Sequence, residues 1–110
     1  MTPPVGYALV GCGAFGRFCL DSHADHPAIA RLAVADADPE LARRTAESSG
    51  VPARSLDEVL ADPAIELVHL ATPPFTHREL GERVLRAGKH LLCEKPLAVG
   101  RDEADLLVGL

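Results

Sequence analysis

A glycine triplet with the spacing GxGxxG, at Gly11, Gly13 and Gly16, constrains the fold of this chain more than any other feature. The triplet follows the apolar run Tyr7 to Val10, which is typical of a buried strand, and precedes a helical pattern. In that context Gly11 permits a sharp turn off the strand, Gly13 lets a diphosphate approach bare backbone, and Gly16 lets the first helix pack closely on the sheet. The unpaired N–H groups at the start of that helix would then face the phosphates.

An acidic side chain at the expected spacing completes this pattern. Asp36 lies twenty residues beyond Gly16 and ends a second apolar run, Leu32 to Ala35, where a carboxylate can accept hydrogen bonds from the diol of a ribose. The arrangement of strand, turn, helix and strand therefore predicts dinucleotide binding. The alternative is a structural glycine turn in an α/β protein that binds another ligand.

The composition is ordinary for a globular protein and excludes two classes of partner. Apolar residues make up 47% and charged residues 25% of the 110 residues, which predicts one domain over residues 1–110. The net charge of −5, without a basic block, argues against nucleic acid and against an anionic membrane surface.

Nothing in the sequence indicates secretion or a disulfide framework. The first residues lack a positive segment followed by an unbroken apolar stretch, so neither a signal peptide nor a membrane span is predicted. The three cysteines, Cys12, Cys19 and Cys93, are odd in number and lack CxxC spacing, which favours small core side chains over a disulfide or zinc site. We therefore expect a reducing, cytoplasmic setting.

Short apolar runs alternate with helical patterns along the whole chain, which predicts an α/β fold of the Rossmann type. We expect a doubly wound parallel sheet of about five strands in the order 3-2-1-4-5. Besides the first two runs, the strand candidates are a weak one at 51–54, a central one at 65–71 and one at 91–93.

The helices are predicted from their apolar faces and their caps. The first should run from about Ala14 to Ala24, with Phe15 and Phe18 in the core. Asp38 should cap the second helix, which Gly50 ends, and the pairs Ser55 with Glu58 and Thr76 with Glu79 are capping boxes for the next two. A last helix is expected over about 102–110.

In an open parallel sheet, ligands bind beyond the carboxyl ends of the strands, where the strand order reverses. Lys95 lies there, directly after the strand that ends at Cys93, between Glu94 and Pro96. A lysine in this position could hydrogen-bond a substrate hydroxyl and help to move its proton as a hydride leaves. A solvated lysine at a strand end is the alternative.

Asp36 also favours NAD over NADP. The 2′-phosphate of NADP would lie about 4 Å from this carboxylate, where the repulsion is on the order of 4 kcal/mol per unit charge at an effective dielectric constant near 20. The nearest arginines, Arg43 and Arg44, lie within the next helix rather than directly after Asp36.

Three motifs together resemble the amino-terminal half of the Gfo/Idh/MocA family of oxidoreductases. They are the GxGxxG turn, the segment Ala71-Thr72-Pro73-Pro74-x-x-His77, and the segment 88–98, GKHLLCEKPLA, which is far more specific than the glycines. The resemblance covers essentially the whole chain. It implies an NAD- or NADP-dependent oxidoreductase that acts on sugars, cyclitols or related polyols.

The resemblance also implies roles for individual residues. Lys95 becomes the catalytic candidate. Residues of the glycine turn would contact the diphosphate, Asp36 the adenosine ribose, and two later segments the nicotinamide half and the substrate; the cofactor-binding set is Gly11, Gly13, Ala14, Phe15, Gly16, Asp36, Ala71, Thr72, Pro73, His77, Glu94 and Lys95.

The histidines do not suggest a metal site. His23, His26 and His90 lack the spacing of metal ligands, and His69 within a strand is expected to be a packed core residue. For His77 a second role stays open, since it lies on the inward stripe of its helix and could simply satisfy local backbone.

Members of the family continue into a sixth strand and a large second domain that forms one wall of the substrate site and usually the oligomer interface. The 110 residues contain neither, so we expect this chain alone to bind cofactor without turnover, and homo-oligomers only when the second domain is present. The alternatives are a dinucleotide-binding module for sensing, which never reacts its ligand, and an incompletely folded fragment.

Overall fold

A four-stranded parallel sheet runs through residues 3–93, the part of the chain that the computed structural model describes. Its strands are β1 (Val5–Val10), β2 (Ile29–Ala35), β3 (Leu67–Leu70) and β4 (His90–Cys93), which lie side by side in the order β2-β1-β3-β4. The helices are α1 (Ala14–Ser22), α2 (Pro39–Ser49), α3 (Leu56–Ala61) and α4 (His77–Arg86), and a 3-10 turn at Pro74–Thr76 leads into α4.

Helices cover both faces of the sheet. Successive side chains of each strand point to opposite faces, so each face has its own apolar core that a pair of helices buries. The core under α1 and α2 includes Tyr7, Leu9, Leu20 and Val34. The core under α3 and α4 includes Ala8, Val10, Val59 and Val84. This is the doubly wound α/β fold that the sequence predicts.

Strand β1 lies between β2 and β3: the chain first adds β2 on one side of β1 and later adds β3 on the other side. The carboxyl end of β1, at Val10, is therefore the point where the strand order reverses. Crevices at such a point are where open α/β sheets bind their ligands.

The predicted third strand is reduced to a single bridge. Ala53 pairs with Val34 in parallel, and only two hydrogen bonds join the segments, from the Val34 N–H to the Pro52 carbonyl (3.0 Å) and from the Arg54 N–H to the Val34 carbonyl (2.9 Å). Pro52 has no N–H to donate, and the chain enters α3 directly after Ser55, so no ladder can extend. Ala53 lies on the side of β2 that faces away from β1, which is the place of the third strand in the predicted order 3-2-1-4-5. Residues 3–93 nevertheless hold four strands rather than five.

The prediction that Phe15 and Phe18 lie in the core is wrong. Their side chains are 54% and 67% exposed, and the buried residues of α1 are Gly16 and Leu20. The close approach of Gly16 to the glycine turn fixes the face that α1 turns to the sheet, and neither phenylalanine lies on that face. The helix also ends at Ser22, two residues before the expected Ala24.

Most of the predicted caps are confirmed. Asp38 accepts hydrogen bonds at the start of α2, Gly50 ends that helix with a left-handed φ of 76°, and Ser55 with Glu58 forms a complete capping box on α3. Within residues 3–93, no helix is long and apolar enough to cross a membrane. The helix predicted over 102–110 lies outside the described residues.

The capping box predicted at Thr76 and Glu79 is wrong. Thr76 has helical backbone angles and makes no side-chain capping bond, because the chain enters α4 from the 3-10 turn rather than from an extended residue. The Thr76 hydroxyl instead lies 2.6 Å from the carbonyl oxygen of Pro73.

Candidate functional site

A large cavity, about 960 Å³ in volume, lies at the carboxyl edge of the sheet. It is bounded by the glycine turn, by Asp36 at the end of β2, and by Ala71, Thr72 and Pro73 after β3. Three segments that are distant in sequence are thus brought to one cavity, as the sequence predicts, because parallel strands end at the same edge.

The three positions of the turn carry glycine for different reasons. Gly11 has a φ of +106°, and a Cβ there would lie 2.7 Å from the carbonyl carbon of Ala71. A Cβ at Gly16 would lie 2.1 Å from the Gly11 carbonyl oxygen. Both residues are therefore required by the fold itself.

Gly13 has no such structural reason. Its φ of −68° is accessible to any residue, its position is exposed, and a Cβ there would meet no protein atom within 4 Å. The space above Gly13 is open toward the cavity that it lines. A group that does not belong to residues 3–93 and that approaches the backbone closely would explain why this position carries no side chain.

The start of α1 is free of side-chain caps. Gly13 is the N-cap residue, no side chain accepts a hydrogen bond there, and no acidic residue lies in the first turn. The first N–H groups of a helix have no partner within the helix, and they carry its positive partial charge. This end of α1 suits an anionic group such as a phosphate.

Asp36 points toward the glycine turn. Its Oδ2 accepts a hydrogen bond from the backbone N–H of Cys12 (2.7 Å), and its Oδ1 accepts one from the N–H of Asp38 (2.8 Å). The carboxylate therefore lies between the turn and the start of α2, half-buried at the cavity edge. An orientation away from the turn would have contradicted the predicted dinucleotide site.

Further negative charge stands beside Asp36, at the start of α2. Asp38 caps the helix through its Oδ1, which accepts hydrogen bonds from the N–H groups of Glu40 (3.0 Å) and Leu41 (3.4 Å). The next two arginines in the sequence are already paired with Glu40: Nε of Arg43 lies 3.0 Å and Nε of Arg44 3.2 Å from its carboxylate oxygens. The hydrogen bond with Arg43, above all, lowers the pKa of Glu40 to about 2.

His77 does not line the cavity but supports its wall from behind. The ring is 1% exposed, and its Nε2 lies 2.9 Å from the carbonyl oxygen of Thr72, which can only accept, so Nε2 carries the proton. The Thr76 hydroxyl lies 2.6 Å from that of Thr72 as well as near Pro73. Of the two roles considered for His77, the geometry favours the one that satisfies local backbone.

Sequence reasoning did not single out the apolar residues around the glycine turn. The cavity is lined mainly by apolar side chains, and those missed include Ala37, Leu41, Leu56, Phe75 and Leu80. The sequence could have predicted two of them, Leu41 and Leu56. Helices α2 and α3 both begin at the carboxyl edge of the sheet, so an apolar residue in the first turn of either helix borders the site.

Cys12 lies within the glycine turn but its side chain is buried. Burial, above all, raises the pKa of its thiol, and the charge of Asp36 adds to the effect. Cys12 is therefore a neutral core side chain, as predicted. Among residues 3–93, no group of three His, Cys, Asp or Glu side chains is placed to hold a metal ion.

Glu94 and Lys95 lie outside the described residues. The preceding strand β4 ends at Cys93, next to the end of β3 at Leu70, with which Cys93 is paired. Both residues therefore stay sequence predictions, attached to a strand end that borders the same edge of the sheet.

Comparison with known proteins gives a consistent family. A family model described as an oxidoreductase family with an NAD-binding Rossmann fold matches residues 5–110. Inositol 2-dehydrogenase of Rhizobium meliloti (strain 1021) is 37% identical over 93 residues, which are 84% of this chain and 28% of that protein.

Solved structures show the same fold. GenD2 from gentamicin A biosynthesis, in complex with NAD, has a TM-score of 0.93 at 32% identity and covers 99% of this chain and 32% of that one. KijD10, a 3-ketoreductase from Actinomadura kijaniata in complex with TDP-benzene and NADP in an open conformation, has a TM-score of 0.88 at 30% identity, over 96% of this chain and 34% of that one. The chain spans about a third of the length of these proteins.

Proposed function

The chain belongs to the Gfo/Idh/MocA family of oxidoreductases, as its NAD-binding Rossmann domain, and we propose that it binds NAD in the cavity at the carboxyl edge of the sheet. The observation that carries this proposal is the bare backbone at Gly13. Neither its φ nor any protein atom within 4 Å requires glycine there, whereas a diphosphate in contact with the start of α1 does.

The rest of the cavity matches the remaining parts of NAD. We assign the diphosphate to Gly11, Gly13, Ala14, Phe15 and Gly16. The adenosine ribose belongs at Asp36, and the adenine beside the apolar side chains of Leu41 and Leu56. The nicotinamide half lies along Ala71, Thr72 and Pro73, where His77 holds the carbonyl of Thr72.

We propose that NAD is preferred over NADP. A 2′-phosphate would meet the carboxylate of Asp36, and Arg43 and Arg44 on α2, which could offset the repulsion, are paired with Glu40 and Glu47. Both cofactors occur among the structural relatives, with NAD in GenD2 and NADP in KijD10. The preference of this chain therefore rests on its own acidic residues.

The reaction of the whole protein is proposed to be hydride transfer between the nicotinamide and a sugar, cyclitol or related polyol. The bound cofactor supplies the hydride chemistry. Lys95, with Glu94 beside it, would hold the reacting hydroxyl of the substrate and help to move its proton. The support is the position of the Glu-Lys-Pro segment directly after β4, which ends beside β3 at the cavity edge, and the similarity to inositol 2-dehydrogenase.

The relatives are about three times as long as this chain. We propose that a second domain supplies the opposite wall of the substrate site and the interface of a homo-oligomer, and that the protein works in the cytoplasm. Without that wall we expect the chain to bind cofactor but not to turn over a polyol.

The proposal is tested by measuring thermal unfolding with and without NAD. A ligand at one hundred times its dissociation constant adds about 2.7 kcal/mol to the stability of a folded binder. The matched variants are Gly13→Val, which places bulk over the open backbone, and Gly88→Asn, at an exposed glycine with a φ of +78° away from the cavity.

We expect NAD to stabilise the chain and the Gly88→Asn variant, but not the Gly13→Val variant. Equal stabilisation of both variants would overturn the assigned site, and no stabilisation of the unaltered chain would overturn NAD binding. Absorbance at the nicotinamide band with a panel of polyols is the second measurement. Turnover by this chain alone would contradict the need for a second domain.

A further inference from the structure

One carboxylate joins the two loops that form the adenosine side of the cavity. The oxygens of Asp36 accept hydrogen bonds from two different backbone N–H groups, those of Cys12 and Asp38. Cys12 lies 24 residues before Asp36 in the sequence, so this bond links the turn after β1 to the end of β2.

The bond to Cys12 acts where the backbone has the greatest freedom. Cys12 stands between Gly11 and Gly13, and glycines lose more conformational freedom on folding than any other residue. Two further hydrogen bonds tie this part of the turn to the end of β2. They are the bond from the Gly11 N–H to the Ala35 carbonyl (2.8 Å) and the contact of the Cys12 sulfur with the same oxygen (3.5 Å).

Each oxygen of a carboxylate offers two lone-pair directions. With one of them taken by a backbone N–H, each oxygen of Asp36 keeps one for a ribose hydroxyl. Binding the ribose and holding the turn are therefore compatible in the same group, and neither role requires the other.

Building on the proposed NAD site, we infer that Asp36 is a positioning residue for the diphosphate as well as the ribose ligand. Its carboxylate fixes the Cys12 N–H and thereby holds the turn in the shape that presents Gly13 and the start of α1 to the phosphates. Loss of the carboxylate should weaken NAD binding even when the ribose has no hydroxyl groups to offer.

The test compares two ligands, NAD and an NAD analogue whose adenosine ribose carries hydrogen at both the 2′ and 3′ positions. The variant is Asp36→Ala, which removes both acceptor oxygens and so loses the bonds to the Cys12 and Asp38 N–H groups. Asp38→Asn is the charge control: it removes the same charge from the same rim, and asparagine caps a helix as well as aspartate does.

We expect Asp36→Ala to bind the dideoxy analogue about tenfold or more weakly than the unaltered chain does, which corresponds to the loss of at least one hydrogen bond to a charged group. Asp38→Asn should not weaken it, because removal of a negative charge favours an anionic ligand. If Asp36→Ala loses affinity for NAD only, and binds the analogue as the unaltered chain does, Asp36 is a ribose ligand alone and the inference fails.

A measurement without ligand tests the hydrogen bond on which the inference depends. The amide proton resonance of Cys12 is compared by NMR at pH 7 among the unaltered chain, Asp36→Ala and Asp38→Asn. We expect it to move upfield in Asp36→Ala only, because this N–H donates to the Asp36 carboxylate. A Cys12 resonance that does not respond to Asp36→Ala overturns the inference even if NAD binds, whereas a failure of NAD to bind overturns the proposed function and leaves this comparison valid.

Discussion

Gly16 packs against Gly11 so closely that a methyl group on Gly16 would lie 2.1 Å from the Gly11 carbonyl oxygen. The contact brings the first turn of α1 against the end of β1, and it leaves Gly13 between them with open space above its backbone. One glycine of the turn thus serves the fold and another faces the cavity, so the two should respond differently to the same substitution.

The substitution of alanine at each position separates these roles. Gly16→Ala should destabilise the chain by about 1–3 kcal/mol or more, because backbone atoms must move to admit the methyl group. Gly13→Ala should change stability by less than about 1 kcal/mol, because its side chain meets nothing in the protein, yet lower NAD affinity by about tenfold or more. Urea unfolding and NADH fluorescence titration measure the two effects; an unchanged affinity in Gly13→Ala would contradict the diphosphate site.

The difference between these glycines explains what the sequence could predict. The spacing GxGxxG after an apolar run predicts the turn, and the distance to Asp36 predicts a carboxylate at its side; both are confirmed by the structure. These features depend on local backbone geometry and on topology, which a short sequence pattern determines.

Side-chain directions on α1 and α4 were harder to predict because they depend on tertiary contacts. Phe15 and Phe18 share a helical stripe with apolar spacing, but the contact of Gly16 with the turn decides which stripe faces the sheet. Thr76 likewise matches a capping box in sequence, yet the 3-10 turn before it gives it helical angles and a different partner. The burial of His77 behind Thr72 depends in the same way on how α4 packs.

The bond between His77 and Thr72 yields a second prediction. His77→Leu leaves the Thr72 carbonyl without its donor, which should cost about 1–3 kcal/mol of stability and loosen the wall beside the nicotinamide. His77→Gln is the matched control, since its side-chain amide can still donate to this carbonyl.

Urea unfolding and NAD titration of both variants check this prediction. We expect the glutamine variant to retain more stability and more affinity than the leucine variant. Equal loss of NAD affinity in both, at equal stability, would instead indicate that the imidazole itself contacts the cofactor.

The paired arginines on α2 yield a third prediction, on cofactor choice. The unaltered chain should bind NAD at least tenfold more tightly than NADP, because Asp36 repels the 2′-phosphate. Glu40→Gln releases Arg44 from its ion pair, whereas Arg43 stays paired with Glu47, and it should raise NADP affinity several-fold with NAD affinity unchanged.

Arg44→Gln combined with Glu40→Gln is the control, since the increase in NADP affinity should shrink when the freed cation is removed. The increase in NADP affinity should also become smaller with added salt, because the arginine side chains are exposed and salt screens their interactions. Tighter binding of NADP than of NAD by the unaltered chain would reverse the proposed preference.

A fourth prediction concerns stability below neutral pH. The ring of His23 packs edge-on against the buried ring of Tyr7, with the ring centres 5.1 Å apart. Burial lowers the pKa of His23, and the neighbouring charges of His69, His26 and Arg31 add to the effect. The folded state therefore prefers the neutral imidazole, and the stability this confers is complete above the unfolded pKa of about 6.5 and lost as the pH falls through the folded value.

Replacement of His23 by phenylalanine keeps a ring against Tyr7 and removes the titrating group. Between pH 7 and pH 5, the free energy of unfolding should therefore fall less in His23→Phe than in the unaltered chain, whereas at pH 7, where His23 is neutral, the two should differ little. Urea unfolding at pH 7, 6 and 5 measures the difference. Parallel decreases in the two proteins would show that protonation of His23 does not contribute to the acid sensitivity, because every other titrating group is common to both.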